Sequence, residues 1–388
     1  MIDFKTKSKI VVTCKDRFAT YLEQELTELG YKPVFVGGTH IEVEGSMMDC
    51  IVLNLHLRTA SHVLFEIKSI YLHHADDIYR RIKAIPWEEY ISENSYFSVM
   101  SSVDHPSVNN PLFVNVRIKD AIVDRFRERT GARPDSGSEL DGAVFQMFWR
   151  DTRANIYINT SGETLGKHGY RKIPGRAPML EALASAVIMA TGWDGDGPFV
   201  NPMCGSGTLA VEAAMIATNR FPGLLRDKFA FQHILGYEEE FLERQRQKME
   251  KKITVRPNLK IIASDLSLQA ILFARENAAL AGVEDLIDFQ TCDFEETVLP
   301  ENSEGGVVIF NPEYGERLGE EGELSQTYRR MGDFMKQRCA GYNGFIFTGN
   351  PALGKKVGLR ASRKIEFYNG TIDCRLLRFE LYRGKNIS

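Results

Sequence analysis

Residues 201–210 read Asn201-Pro202-Met203-Cys204-Gly205-Ser206-Gly207-Thr208-Leu209-Ala210, at the end of an apolar run that begins at Pro198. A strand that ends in a glycine-bearing turn and runs straight into a helix is the opening unit of a doubly wound α/β fold. Glycines there let the backbone turn sharply and approach a ligand with no Cβ in the way. The unbonded N–H groups of the helix start favour a polar or anionic group. Written as G-x-G-x-x-A, the loop fits a nicotinamide-dinucleotide fingerprint as well as any other nucleotide-like cofactor, or a tight turn with no ligand.

Outward from this loop, strands alternate with helices. A helix is predicted over Met179–Ala190, then strands over Pro198–Met203, Leu259–Ser264, Ile287–Thr291, Gly306–Phe310 and Gly344–Thr348. That pattern predicts a mostly parallel sheet covered on both faces. An insertion, Asn219–Leu259, separates the first two strands, and its charged run Glu238–Lys252 reads as an exposed helix. The chain closes with Lys364–Tyr368, Asn369-Gly370 and Thr371–Tyr382, an antiparallel hairpin with both turn residues suited to the positive φ of a type I′ turn.

Upstream the grammar differs. A strand at Ile10–Thr13, a helix at Arg17–Leu29 closed by Gly30, and extended segments at Val34–Val36 and His40–Val43 form a small α/β unit. A second mixed unit follows, with a strand through Val63–Ile70, a helix over Asp76–Ile85 stopped before Pro86, and a strand at Phe97–Met100. The helix Pro111–Arg129 carries Val114, Ile118, Ile122 and Phe126 on one face, a core stripe by its spacing. Strands Val144–Trp149 and Asn155–Ile158, split by a turn at Arg150-Asp151-Thr152, complete the unit before a Gly-rich connection, Thr160–Gly175.

The chain has 388 residues, enough for two or three domains. Its net charge of −4 excludes a surface coated in positive charge, so nucleic-acid affinity has to come from local patches. Two basic stretches are present, one from Arg117 to Arg176 and one from Lys355 to Lys385. In the first, Arg125, Arg129, Lys167, Arg171, Lys172 and Arg176 are candidate RNA-binding residues, although each patch taken alone fits solvated surface equally well. The six cysteines are scattered without CxxC pairs or clustered histidines, which points to reduced thiols and no metal site. With neither a signal-like N-terminus nor an apolar run of membrane-spanning length, the expectation is a cytoplasmic protein without a membrane partner.

Three further positions carry chemistry. Asp265 ends the strand after the glycine loop, where a carboxylate can reach ribose hydroxyls or simply cap the next helix. Asp293 ends the strand after that, and suits either an adenine amino group or a loop cap. Asn311-Pro312-Glu313-Tyr314 follows the apolar strand directly. An exocyclic base amine is a poor nucleophile because its lone pair is delocalised, so it must be held in line with an electrophilic methyl while acceptors draw on its hydrogens. The Asn311 side-chain carbonyl and the Pro312 backbone carbonyl supply such acceptors, and Tyr314 a stacking face; as an ordinary Asn-Pro turn the same residues would do neither.

With these motifs in place the chain resembles a bacterial family of THUMP-containing class I RNA methyltransferases, similar to the large-subunit rRNA guanine-N2 enzymes and often labelled adenine-N6-specific DNA methylases. The resemblance is carried by Lys119-Asp120-Ala121-Ile122-Val123-Asp124-Arg125-Phe126-Arg127, Thr160-Ser161-Gly162-Glu163-Thr164-Leu165, Gly169-Tyr170-Arg171, Ala177-Pro178-Met179 with Glu181, the glycine loop, the Asn311–Leu318 run, and Asn369-Gly370 with Cys374-Arg375. It implies a ferredoxin-like domain over 1–62, a THUMP RNA-binding domain over 63–160, both α+β, a linker over 161–178, and a Rossmann-like methyltransferase domain over 179–388. It further implies S-adenosylmethionine held by Pro178, Met179, Asn201, Met203, Gly205, Gly207, Thr208, Asp265 and Asp293, with Asn311, Pro312 and Tyr314 around the target base. The implied partner is structured RNA, ribosomal ahead of transfer RNA, and the implied target guanine N2.

Three positions depart from the family pattern: Glu313 in place of a second proline, Asn201 in place of Asp, and His168 in place of Arg. Two alternatives stay open beside RNA methylation, the second because of Glu313. One is an adenine-N6 DNA methyltransferase, which would not need the first 160 residues to choose its substrate. The other is a non-catalytic RNA-binding or ribosome-assembly factor. A nicotinamide-dependent dehydrogenase is the third rival, revived only by failure to bind S-adenosylmethionine.

Overall fold

The β-branched run Ile10-Val11-Val12 forms strand β1 (Ser8–Cys14), and all three side chains are buried. The computed structural model describes residues 2–108, 110–171, 179–300, 305–313 and 321–382. These fall into two units, the first comprising Met1–Cys14, Leu22–Leu165 and Arg226–Lys248, the second Lys15–Tyr21, Gly166–Leu225 and Met249–Ser388.

Helix α1 (Ala19–Glu28) and strands β2 (Phe35–Val36) and β3 (His40–Gly45) follow the expected order. The next helix, α2 (Met47–His56), has no counterpart in the sequence reading. Its start is a capping box, in which Ser46 Oγ accepts from the Asp49 N–H (3.3 Å) and Asp49 Oδ2 from the Ser46 N–H (2.7 Å). Ser-x-x-Asp ahead of an apolar run is the signal that would have revealed it. Strand β4 (Ala60–Tyr71), helix α3 (Asp77–Lys83), strand β5 (Tyr96–Asp104) and helix α4 (Pro111–Thr130) come next. Asn110 caps the start of α4, and Gly131 ends it at φ 75°, a left-handed position that glycine occupies without steric cost. Its stripe of Val114, Ile118, Ile122 and Phe126 is buried throughout, each side chain contributing about 1.5–3 kcal/mol of transfer free energy.

Strands β6 (Asp135–Gly137), β7 (Ala143–Arg150) and β8 (Arg153–Asn159) complete an eight-stranded sheet of order β2-β3-β1-β4-β8-β7-β5-β6. One sheet thus runs through residues on both sides of position 62. Its pairings are antiparallel except where β5 lies parallel to β6 and β7. The Gly-rich connection expected from Thr160 onward is core at its start: Thr160 and Ser161 are fully buried. Thr160 Oγ1 donates to the Val63 carbonyl (2.7 Å), and Ser161 Oγ accepts from the Val63 N–H (2.9 Å).

In the second unit, helix α5 (Glu181–Thr191) leads to β9 (Phe199–Pro202) and α6 (Thr208–Ala217). Within the insertion, residues 226–248 belong to the first unit. Phe229 and Phe231 stack at 5.0 Å and are buried, the Phe231 N–H donates to the Thr160 carbonyl (3.0 Å), and Arg226 donates to the carbonyls of Thr164 (2.9 Å) and Glu163 (3.1 Å). Helix α7 (Glu239–Glu250) is largely exposed as expected, yet it buries Leu242 and Met249.

The remaining elements are β10 (Ile261–Asp265), α8 (Leu268–Leu280), β11 (Ile287–Thr291), β12 (Val307–Phe310), α9 (Glu321–Arg338), β13 (Asn343–Thr348), α10 (Pro351–Lys356), β14 (Arg363–Asn369) and β15 (Ile372–Glu380). The sheet order is β11-β10-β9-β12-β13-β15-β14, parallel up to β13 and closed by the antiparallel pair β15 and β14. This is the Rossmann-like α/β arrangement with a C-terminal hairpin. The hairpin turns one residue later than read: Asn369 pairs with Ile372, and only Gly370 of the dipeptide has positive φ (62°). A glycine at the first central position suits a II′ turn, which leaves Asn369 free to join the ladder. Edge-on contacts among Phe294, Phe310 and Phe334, at 5.8 to 6.1 Å, centre the core on one side of this sheet.

The six cysteines are thiols, with no disulfide among the described residues. No helix among the described residues is long and apolar enough to cross a membrane.

Candidate cofactor and base site

The chain runs β9, β10, β11 outward in one direction, then returns to place β12 and β13 on the other side of β9. The strand order therefore reverses between β9 and β12, and in open parallel sheets ligands bind beyond the C-terminal strand ends at that reversal. The glycine loop follows β9 and Asn311 follows β12, so the two motifs singled out in the sequence share one switch point.

The glycine loop is a run of left-handed residues, Met203 at φ 56°, Gly205 at 55° and Gly207 at 78°. The two glycines are needed for different reasons. A Cβ on Gly207 would lie 2.7 Å from the Ala274 Cβ, so this glycine lets α6 and α8 approach each other. A Cβ on Gly205 would meet nothing within 4 Å. Asp265 holds the loop, one oxygen accepting from the Gly205 N–H (3.0 Å) and the other from the Ser267 N–H (2.9 Å). The helix cap considered for Asp265 falls to Ser267, whose hydroxyl accepts from the Ala270 N–H (3.3 Å). The Asn277 side chain donates to the Ser206 carbonyl (3.0 Å), which anchors the loop from α8.

Asn201 is buried and donates through Nδ2 to the Ile309 carbonyl (3.0 Å), tying β9 to β12 two residues before Asn311. An Asp here would oppose an acceptor with an acceptor, which gives a local reason for Asn. The Asn201 Oδ1 and the Asn311 Oδ1 are both buried without a hydrogen-bond partner among the described residues. Pro312 is buried and Glu313 exposed.

Asp293 caps the turn after β11. Its Oδ1 accepts from the Glu295 N–H (3.0 Å) and from Arg330 Nη2 (2.8 Å). Partial burial pushes this carboxyl upward, but the Arg330 guanidinium and the Glu295 N–H outweigh it and hold the group below the usual carboxylate range. Arg330 also pairs with Glu295 and lies over the Phe294 ring at 4.8 Å. Sequence reasoning missed Arg330, which stands 37 residues from Asp293 with no local signal to connect them.

On the other flank of the glycine loop, Arg171 donates through Nη2 to the Met179 carbonyl and to Thr208 Oγ1 (3.0 Å), with Glu181 at 3.6 Å. Its side chain is only 9% exposed. Next to it, the buried Glu212 of α6 accepts from Tyr170 (2.8 Å) and Ser185 (2.7 Å) and lies 2.8 Å from His168 Nδ1. Glu212 was also absent from the sequence reading, hidden in an apolar helix.

The candidate RNA-binding residues divide. Arg125 is committed to Glu88 through two bonds (2.7 and 2.6 Å) and to the Lys83 carbonyl (3.0 Å), which fixes Glu88 below its usual pKa. Arg171 is likewise committed to intrachain acceptors. Arg129 and Lys167 are exposed. Pro178, Lys172, Arg176 and Tyr314 lie outside the described residues.

Residues 168–378 match the family model described as "RMKL-like, methyltransferase domain". The chain belongs to this RMKL-like methyltransferase family. Ahead of the RMKL-like part, residues 73–158 match the THUMP domain and residues 9–64 the RlmL ferredoxin-like domain. The ribosomal RNA large subunit methyltransferase K/L of Syntrophotalea carbinolica is 35% identical over 383 residues, which are 96% of this RMKL-like chain and 53% of that protein. The chain thus spans about half the length of the K/L relatives it matches. A Synechocystis protein provisionally assigned as an RNA methyltransferase is 34% identical over 92% of this chain and 93% of its own length. Among solved structures, SMU.472, provisionally assigned as a methyltransferase and complexed with SAH, superposes with a TM-score of 0.87 at 28% identity, covering 98% of this chain and all of its own.

Proposed function

We propose that this chain transfers a methyl group from S-adenosylmethionine to an exocyclic amine of a base in structured RNA, with guanine N2 of large-subunit ribosomal RNA as the leading target. The observation that carries the reading is Asn311 Oδ1, a buried acceptor without a partner among the described residues at the sheet's switch point. Leaving such an atom unpaired costs about 1–3 kcal/mol, a cost relieved when a ligand brings a donor. A base amine has N–H groups to offer it.

The residues fit the cofactor. Gly205 borders open space where any larger residue would project its Cβ. Asp265 is already ordered by two N–H groups and keeps lone pairs for ribose hydroxyls. Asp293, fixed through Oδ1, has Oδ2 for an adenine amino group. Met179, Asn201, Met203, Gly207 and Thr208 complete the proposed cofactor residues, together with Pro178. When bound, S-adenosylmethionine supplies a methyl carbon on a sulfonium, electrophilic enough to need only a positioned nucleophile. Asn311 and the Pro312 carbonyl would hold the amine hydrogens and Tyr314 would stack on the base. A base inside paired RNA must be flipped out to reach them. Glu313 is exposed, which supports a reading in which its carboxylate points away from these groups.

For RNA, the THUMP match supports recognition by the first unit, over the proposed boundaries 1–62 and 63–160, with Arg129 there and Lys167 in the second unit as candidate phosphate contacts. Ribosomal RNA stands ahead of transfer RNA because the K/L relatives are named for it, and a cytoplasmic site of action follows from that substrate. The test is incubation with methyl-labelled S-adenosylmethionine and unmodified ribosomal RNA, transfer RNA or duplex DNA, beside an Asn311→Ala variant. N2-methylguanosine in RNA, lost in the variant, supports the reading. Label only in DNA adenine overturns the RNA assignment, and binding of cofactor and RNA without any label indicates a non-catalytic factor.

A further inference from the structure

We infer that Arg171 is a positioning residue that fixes the cofactor loop, and not a contact to RNA phosphate; the inference rests on the proposed function. A phosphate contact needs an accessible guanidinium with charge to offer. The Arg171 side chain is 91% buried, and Glu181, itself 4% exposed, stands 3.6 Å away and already balances its charge. Its Nη2 bridges two acceptors that lie apart in sequence, the Met179 carbonyl and the hydroxyl of Thr208, the first residue of α6 directly after Gly207. One guanidinium nitrogen thereby locks residue 179 to the start of the helix that opens the glycine loop.

The strap that delivers Arg171 is itself secured. Tyr170 donates to the fully buried Glu212 at 2.8 Å, His168 Nδ1 lies 2.8 Å from the same oxygen, and Ser185 of α5 donates to the other at 2.7 Å. Gly169, at φ 96°, lets the strap pass against the Leu225 carbonyl, which a Cβ would approach to 3.2 Å. The Arg171 Nε is buried without a partner among the described residues.

The test uses the full chain with Arg171→Gln, Arg171→Lys and Thr208→Val. For each, equilibrium binding of S-adenosylmethionine, KM and kcat, and binding of an unmodified ribosomal RNA transcript across a salt series are measured. In Arg171→Gln the cofactor Kd and KM should rise at least about tenfold while kcat changes by less than about threefold. RNA affinity and its salt slope should stay as in the unaltered chain. Arg171→Lys should recover little, because the shorter lysine side chain ends one bond short of the Nη2 position and its ammonium is more strongly hydrated. Thr208→Val, which removes one acceptor and no charge, should move the cofactor Kd in the same direction and spare RNA binding. Weaker RNA binding in Arg171→Gln with a salt slope reduced by about one, restored in Arg171→Lys, would make Arg171 a phosphate contact and overturn the inference. Cofactor binding within about twofold of the unaltered chain in Arg171→Gln would overturn it as well, and Arg171→Lys is read in the same way if Arg171→Gln does not fold. If the unaltered chain binds no S-adenosylmethionine, the proposed function fails and the inference with it; unaltered binding with unaffected variants sinks only the inference.

Discussion

At the switch point the carboxylates proposed for the cofactor and the Asn311 carbonyl proposed for the base are held in opposite ways. On the cofactor side each acidic group is already held by the chain: Asp265 by the Gly205 and Ser267 N–H groups, Asp293 by the Glu295 N–H and Arg330. On the base side the Asn311 Oδ1 is buried and has no partner among the described residues. A site that must bind the same small molecule at every turnover benefits from geometry fixed beforehand. Acceptors meant for a reacting amine have to be left open until it arrives. Under the proposed function the difference separates binding from chemistry, and substitutions on the two sides should divide accordingly between Kd and kcat.

Asn311→Ala should break the base side alone and have the largest effect. The expected loss in kcat is on the order of 10²–10³-fold with the S-adenosylmethionine Kd nearly unchanged, read from single-turnover kinetics and calorimetry. An equal loss in both would show that Asn311 holds the cofactor.

Asp265→Ala removes two charge-assisted bonds from the glycine loop. It should weaken S-adenosylmethionine binding by about 10–100-fold, with RNA binding untouched, by calorimetry and filter binding.

The glycines sharpen the comparison further. Gly207→Ala drives a Cβ to 2.7 Å from Ala274 at a left-handed position and should cost about 2–5 kcal/mol of stability in urea denaturation. Gly205→Ala meets open space and should cost only the left-handed backbone penalty, about 1–2 kcal/mol, while weakening the cofactor by obstructing its place. Equal cofactor affinity in the Gly205 variant would put the cofactor elsewhere.

The smallest effect is expected at Arg330. Asp293 has a depressed carboxyl pKa in the folded chain, so its contribution to stability is fully present above the ordinary carboxylate value of about 4 and is lost as pH falls through the depressed value. In Arg330→Gln that depression is relieved. The stability gap between the two proteins should therefore be widest near neutrality and close on acidification, as urea titrations at several pH values would reveal. A pH-independent gap would mean that Arg330 acts through packing on Phe294.

Much of the second unit was legible because its strands are short apolar runs with helices between them, and Ile287–Thr291 is a strand over the same bounds as read. The Asn369-Gly370 turn was legible to within one residue: dipeptide chemistry marks a hairpin, whereas the register is set by the pairing of Phe367 with Cys374 and of Tyr368 with Asp373. Helix α2 escaped because its apolar positions, Met47, Cys50, Ile51, Leu53 and Leu55, are buried on nearly every side, which blurs the helical period. For the site, backbone-forming residues such as Gly205 and strand-ending acids such as Asp265 announce themselves locally. The basic residues did not. Composition reports that Arg125 and Arg171 are charged, but Glu88 and Thr208, each 37 residues away, decide what that charge does.

Residues 226–248 belong to the first unit although the chain reaches them only after building β9 and α6 of the second. The seam has a consequence for synthesis on the ribosome. Leu165 ends the contiguous part of the first unit, yet Phe229, Phe231 and Leu242, all buried there, emerge roughly 60–80 residues later, a delay of about 3–15 s at typical elongation rates. Until they arrive the Thr160, Glu163 and Thr164 carbonyls lack the donors that Phe231 and Arg226 bring. The nascent amino-terminal half must wait, partly assembled, for a piece of chain encoded inside its neighbour.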